Sequence, residues 1–245
     1  MIQADAITIP AHVHGYPAVA FGGYVAGLLA ARAEDATELR VDFRSKVPVD
    51  TPLLSTVTDS GGRALTTLDG TVLAETAKST VTVAPPAGPS WAEARALTEA
   101  AMASGERRVT DCYGCGSACA PGRGLRLFPS TLPDRELIAA AWTPDPALAA
   151  ADGTLSPENV WSALDCPGGW AGIRLAGMRP GAVTAALTAT QLEPIPAGAD
   201  YISYAWPISH HGRKYTVGVA LTTPSGTLCA LAEALWLEPR EISAR

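Results

Sequence analysis

Apolar and polar positions along the chain fall into two similar series. Residues 22–32 are apolar with many small side chains, the composition of a helix buried on all sides. Residues 38–44 (ELRVDFR) then alternate polar and apolar, the period of a half-buried strand. After a break at Val47-Pro48-Val49-Asp50, residues 53–58, 64–69 and 71–83 also read as strands. Ser60-Gly61-Gly62 and Asp69-Gly70 supply the turns between them. The first third is predicted to be one helix feeding an antiparallel meander.

The second series starts after a Pro/Gly/Ser punctuation, APPAGPS at 84–90, and a short helix at 91–103. Strands are expected at 125–128 and 137–142, with a Pro-rich loop at 129–133 between them. Ser156-Pro157-Glu158 has a helix-start composition: an N-cap residue, proline at the first helical position and an acid in the first turn. That helix must be short, because Pro167 and Gly168-Gly169 follow. A second helix spans about 168–178, then strands at 183–192, 201–209, 215–222 and 227–237.

Three echoes relate the halves. Gly22-Gly23-Tyr24 matches Gly168-Gly169-Trp170 at an offset of 146, and Val47-Pro48 matches Ile195-Pro196 at 148. Gly70-Thr71-Val72-Leu73-Ala74 matches Gly226-Thr227-Leu228-Cys229-Ala230 at 156. The order is kept and the offset drifts as loop insertions allow. The organisation expected is an N-terminal half at 1–85, a linker with a short helix at 86–110, and a C-terminal half at 111–245.

Composition narrows the function classes. The 245 residues are 47% hydrophobic and 17% charged, which excludes a disordered chain. A net charge of −6 and no long basic run argue against nucleic acid as a partner. The longest apolar stretch, at 17–31, is interrupted by a Gly-Gly pair and is too short for a membrane span. No targeting segment is read at the start, and five cysteines are an odd number, so a reducing cytoplasmic setting is expected.

Two segments carry a family resemblance. Phe21-Gly22-Gly23-Tyr24-Val25-Ala26-Gly27 is similar to the Gly-Gly segment opening the central helix of many hotdog thioesterases. Asp165-Cys166-Pro167-Gly168-Gly169-Trp170-Ala171-Gly172 looks like its second copy. The resemblance implies an α+β tandem (double) hotdog, each half a central helix wrapped by an antiparallel β-sheet. It also implies an acyl-CoA or acyl-carrier thioesterase with one competent half-site. Such an enzyme needs no cofactor, coenzyme A being part of the substrate, and is expected to form a homodimer. Addition to, or elimination from, an enoyl thioester is the alternative reaction. A non-catalytic acyl-thioester binder or scaffold is the alternative to an enzyme.

Thioester hydrolysis needs donors for an oxyanion and a base beside the carbonyl carbon. Helix N-termini supply unpaired N–H groups, and glycine lets the backbone approach a ligand. Gly22, Gly23, Gly168 and Gly169 fit that role; the plainer reading is close helix-on-sheet packing. Many relatives place a carboxylate two turns into the helix, but the stretches 27–31 and 174–178 hold no acid. Glu34 and Asp35 sit near the first helix end, where solvated charges are ordinary. Asp165 remains the candidate base, since its neighbours Trp161, Leu164 and Trp170 are apolar. Its plainer reading is a cap on the helix beginning near Cys166-Pro167.

Trp170 is a candidate substrate contact, one of an aromatic set that could line an acyl tunnel. His210 and His211, in a basic hairpin turn, could meet coenzyme A phosphates. His12 and His14 stand before the first Gly-Gly, where one could act as a base; the favoured reading is that they are surface residues. Cys112, Cys115 and Cys119 have metal-like spacing that Cys166 or His210 could complete. Without a second Cys-x-x-Cys, a metal-free turn is favoured and no metal is expected. Cys166 as a nucleophile would need His210 or His211 beside it.

Overall fold

The computed structural model describes residues 4–33, 39–104 and 109–240. Glu34, Asp35 and the first residue of the strand expected at 38–44 fall outside them.

The first half is built from β1 (Ala4–Thr8), β2 (His14–Tyr16), β3 (Val19–Ala20), helix α1 (Gly22–Ala30), β4 (Leu39–Phe43), β5 (Pro52–Val57), β6 (Arg63–Thr66) and β7 (Val72–Lys78). Helix α2 (Trp91–Ala103) follows. The second half holds β8 (Ser130–Leu132), β9 (Leu137–Trp142), α3 (Pro157–Ala163), α4 (Cys166–Leu175), β10 (Val183–Gln191), β11 (Tyr201–His211), β12 (Lys214–Thr222) and β13 (Leu228–Leu237).

Eleven strands of the described residues form one sheet, in the order β1-β5-β6-β7-β4-β10-β13-β12-β11-β9-β8. Read outward from the centre, β4-β7-β6-β5-β1 on one side has the same sequence of elements as β10-β13-β12-β11-β9 on the other. The halves meet at an antiparallel β4–β10 seam in which Val41 pairs with Leu187 and Arg40 with Thr188. Helix α1 packs on the first half's strands and α4 on β9, β11 and β12, so each half is a helix wrapped by antiparallel strands, as expected.

Pro167 and the Gly-Gly pair do not stop the first of the two helices in this region. Helix α3 ends earlier, at Ala163, and Pro167 falls in the first turn of α4, where its missing N–H costs nothing. Ser156 holds the N-cap position of α3, but its side chain makes no capping hydrogen bond. Residues 125–128 do not form the expected strand. Leu125, Leu127 and Phe128 are buried, but Arg126 between them takes a left-handed φ of 53° that breaks the strand, and the Leu125 N–H donates to the Tyr113 carbonyl and the Leu127 N–H to that of Gly114. The expected loop at 129–133 contains the edge strand β8.

Helix α2, read as part of a linker, is docked. Ala94 is fully buried in a cluster with Leu137, Ala139, Ile202, Tyr204 and Ala220. These strand residues alternate with Ile138, Ala140, Tyr201, Ala205 and Val219, which belong to the main core. Side chains alternate across a sheet, so α2 covers the face opposite α4. That is why β9, β11 and β12 read as nearly continuous apolar runs. A capping box fixes the start of α2: the Glu93 N–H donates to Ser90 Oγ, and the Ser90 N–H to the Glu93 carboxylate. Ser90→Ala should cost about 1 kcal/mol, read as a lower midpoint in urea unfolding.

Candidate functional site

The start of α1 and the start of α4 meet in the core. Phe21 holds the N-cap position of α1 in an extended conformation and offers no side-chain cap, so the first-turn amides need another acceptor. The Gly23 N–H donates to Asp165 Oδ2 at 2.7 Å, a contact between the two halves of the chain. Thr184 Oγ1 donates to Asp165 Oδ1, also at 2.7 Å. Asp165 stands at the N-cap position of α4 yet makes no side-chain cap there. It is a cap, but of the other half's helix.

Asp165 is 1% exposed. Burial pushes its carboxyl up to about 6, against the hydrogen bonds from Thr184 and Gly23 that favour the charged form. The glycines make the approach possible. A Cβ on Gly23 would lie 2.6 Å from the Ser162 Cα and 2.8 Å from the Asp165 Cβ; one on Gly22 would lie 3.1 Å from Asp165 Oδ2. Thr184 is brought in by a β-bulge: the β10–β13 register shifts between Thr184 and Ala186. Bulges re-aim side chains in this way.

Gly22, Asp165 and Thr184 lie in the wall of a cavity of about 820 Å³. Its other walls are mainly apolar, including Phe21, Trp170, Ile173 and Trp236, and Arg44, Lys46 and Arg174 bring positive charge. Tyr16 also lines it and donates its hydroxyl hydrogen to the Ala182 carbonyl at 2.8 Å. The arrangement offers a buried carboxylate, a hydroxyl and a helix N-terminus beside a space large enough for an acyl group.

The remaining candidates separate. Gly168 and Gly169 fit the close-packing reading: a Cβ on Gly168 would lie 2.7 Å from Val217 Cγ2, and one on Gly169 would lie 2.8 Å from the Trp236 ring. The Gly168 N–H donates to the Asp165 carbonyl at 3.0 Å, while Gly169 still reaches the cavity wall. Trp170 lines the cavity, with the Arg174 guanidinium 5.5 Å from its ring centroid.

His210 and His211 are exposed at the β11–β12 hairpin and outside the cavity lining, His210 stacking on Tyr215 with ring centroids 4.5 Å apart. His12 and His14 do not line it either; His14 Nε2 lies 3.1 Å from Asp111 Oδ2. The polar neighbours of the Cys166 thiol are those of Cys112 and Cys115. Their mutual hydrogen bonds, then burial, push its pKa upward, which disfavours the free thiolate that a nucleophile needs. Thr184 escapes a reading of the sequence, since a threonine in a strand is ordinary and its partner stands on a different element.

No family model matches this chain, and no curated protein matches it in sequence. Solved structures do match along the whole length. The tesB protein of Mycobacterium avium subspecies paratuberculosis is 13% identical, covering 98% of this chain and 96% of its own, with a TM-score of 0.61. An acyl-CoA thioesterase II, TesB2, from Mycobacterium marinum is 14% identical over 99% of this chain and 97% of its own, with a TM-score of 0.59. A protein of unknown function with a hot dog fold from Alicyclobacillus acidocaldarius is 13% identical over 99% and 97%, with a TM-score of 0.61. These likenesses show the fold: the chain is a double hotdog. Among the described residues no helix is long and apolar enough to cross a membrane.

Proposed function

We propose that the protein hydrolyses an acyl thioester of coenzyme A or of an acyl carrier, with one site per chain centred on Asp165. The observation that carries this reading is the placement of one half's carboxylate at the other half's helix N-terminus, in the wall of a mainly apolar cavity. A water held by Asp165 attacks the thioester carbonyl, with the carboxylate taking its proton as general base. The carbonyl oxygen gains charge as it does so, and the Gly22 N–H at the start of α1, in the cavity wall, is its donor, the Gly23 N–H being taken by Asp165. Collapse of the tetrahedral intermediate then breaks the C–S bond, and the thiolate leaves with the proton that Asp165 took. Thr184 acts through Asp165 as a positioning residue. Lys46 and Arg174 in the cavity wall suit the phosphates of coenzyme A better than His210 and His211, which lie outside it.

The name of the Mycobacterium marinum structure, an acyl-CoA thioesterase II, supports the same substrate class. Enoyl-thioester hydration by an Asp–His pair is disfavoured, because none of the four histidines lines the cavity.

Release of free thiol from a panel of acyl-CoAs, followed with a chromogenic thiol reagent, tests the reading. Turnover of at least one acyl chain class is expected. Tight acyl-CoA binding with no thiol released would make the protein a binder instead. Thr184→Val should lower kcat about tenfold or more, with a smaller change in KM, since it removes a hydrogen bond to a charged group.

A further inference from the structure

The segment 111–119, DCYGCGSAC, lies against the start of α4 and brings three thiols together. The sulfurs of Cys112, Cys115 and Cys166 all lie within 4.8 Å of one another, and all three residues are buried. From this we propose that Cys112, Cys115 and Cys166 form a trithiolate site for a thiophilic divalent cation, zinc, set in the wall of the cavity. This departs from the metal-free turn expected of the loop by itself. The third ligand comes from another element, the start of α4, rather than from a second Cys-x-x-Cys.

The fit is close. A zinc ion with bonds of about 2.3 Å to sulfur holds its tetrahedral thiolates about 3.8 Å apart. Small side-chain rotations close the trio to that spacing. The loop is pinned where it must be: Tyr113 N–H donates to the His14 carbonyl at 2.8 Å, and Gly116 N–H to that of Cys112 at 2.7 Å. Gly114 admits Cys166, since a Cβ there would lie 3.0 Å from the Cys166 Cβ and 2.7 Å from the Phe21 ring.

Donors surround the sulfurs, as metal thiolates require of their neighbours. Trp170 Nε1–H points to Cys115 Sγ at 3.5 Å, and the Cys115 amide hydrogen-bonds the Cys112 sulfur. Cys166 is the first residue of α4, where the helix N-terminus offsets negative charge. Cys119 is not a member, its thiol facing the Asp111 and Cys112 carbonyl oxygens. All three ligand residues line the cavity, so the fourth position opens onto it and a water completes the tetrahedron.

The test is a metal titration of the full chain, purified under reducing conditions and stripped with a chelator. Cobalt(II) should bind at one equivalent with sulfur-to-metal charge-transfer intensity for three thiolates, and zinc(II) should displace it. Loss of an outer hydrogen-bond partner costs up to about 100-fold in affinity, so loss of a ligand in Cys112→Ser or Cys166→Ser should cost about that or more. Trp170→Phe should weaken binding roughly tenfold, and Cys119→Ser should bind as the parent does. The proposal is overturned by no stoichiometric binding, by a disulfide within the trio of a chain that takes up no cobalt, or by binding that survives Cys166→Ser. Because a serine variant can misfold, the cobalt spectrum of the unaltered chain decides independently. Fewer than three thiolates in it would sink the site.

Discussion

Asp165→Asn should remove most thiol release, by about 10²–10⁴-fold in kcat, the range over which a positioned general base contributes. Asparagine is the informative replacement. Its amide oxygen can still accept from Gly23 N–H, and its NH₂ can still donate to the Thr184 hydroxyl, so both contacts of the carboxylate have a counterpart. The fold should hold or gain, because taking an ionised carboxylate out of water opposes folding and a neutral amide avoids most of that cost. A thermal midpoint at or above that of the parent, with hydrolysis lost, is the expected pair of results. Parent-like turnover by Asp165→Asn would remove Asp165 from the chemistry. Asp165→Ala would be harder to read, since it leaves the Gly23 amide and the Thr184 hydroxyl without their acceptor in the core.

Gly27→Ala should cause the largest loss of stability, although alanine in a helix normally gains up to about 1 kcal/mol over glycine. Gly27 sits where α1 crosses α3. A Cβ there would lie 2.4 Å from the Pro157 carbonyl oxygen and 2.5 Å from the Glu158 Cα. Those are backbone atoms and cannot rotate away, so α1 and α3 must separate. Overpacking of this kind costs about 3 kcal/mol, which outweighs the propensity gain. For a chain of this length that lowers the thermal midpoint by roughly 6–12 °C, measurable by circular dichroism. An unchanged midpoint would mean that the helices cross more loosely than the structure has them.

Local signals carried the elements, and distance in sequence hid the site. The helix expected at 91–103 is α2 residue for residue, because the Pro/Gly/Ser run at 84–90 marks off its start. Residues 125–128 failed as a strand because an apolar run reports burial, and burial there comes without a ladder partner. Asp165 stood out because an acid among Trp161, Leu164 and Trp170 needs a reason. Proximity along the chain assigns its capping role to the adjacent helix, whereas the helix it caps belongs to the other half. Thr184 depends on a bulge, and Cys166 on a loop that precedes it by several elements, and neither dependence leaves a trace in local pattern. His210 and His211 were chosen for charge alone, and charge places a residue on a surface without saying which one.

The β4–β10 seam, and the bond from Gly23 to Asp165 beside it, join halves that belong to one polypeptide. Their association is therefore intramolecular, at an effective concentration set by the connecting segment rather than by the amount of protein present. Two separate half-length chains would come apart on dilution and lose the contact between carboxylate and helix end. In this chain the two stay together at any concentration at which it remains folded, so specific activity should be independent of dilution.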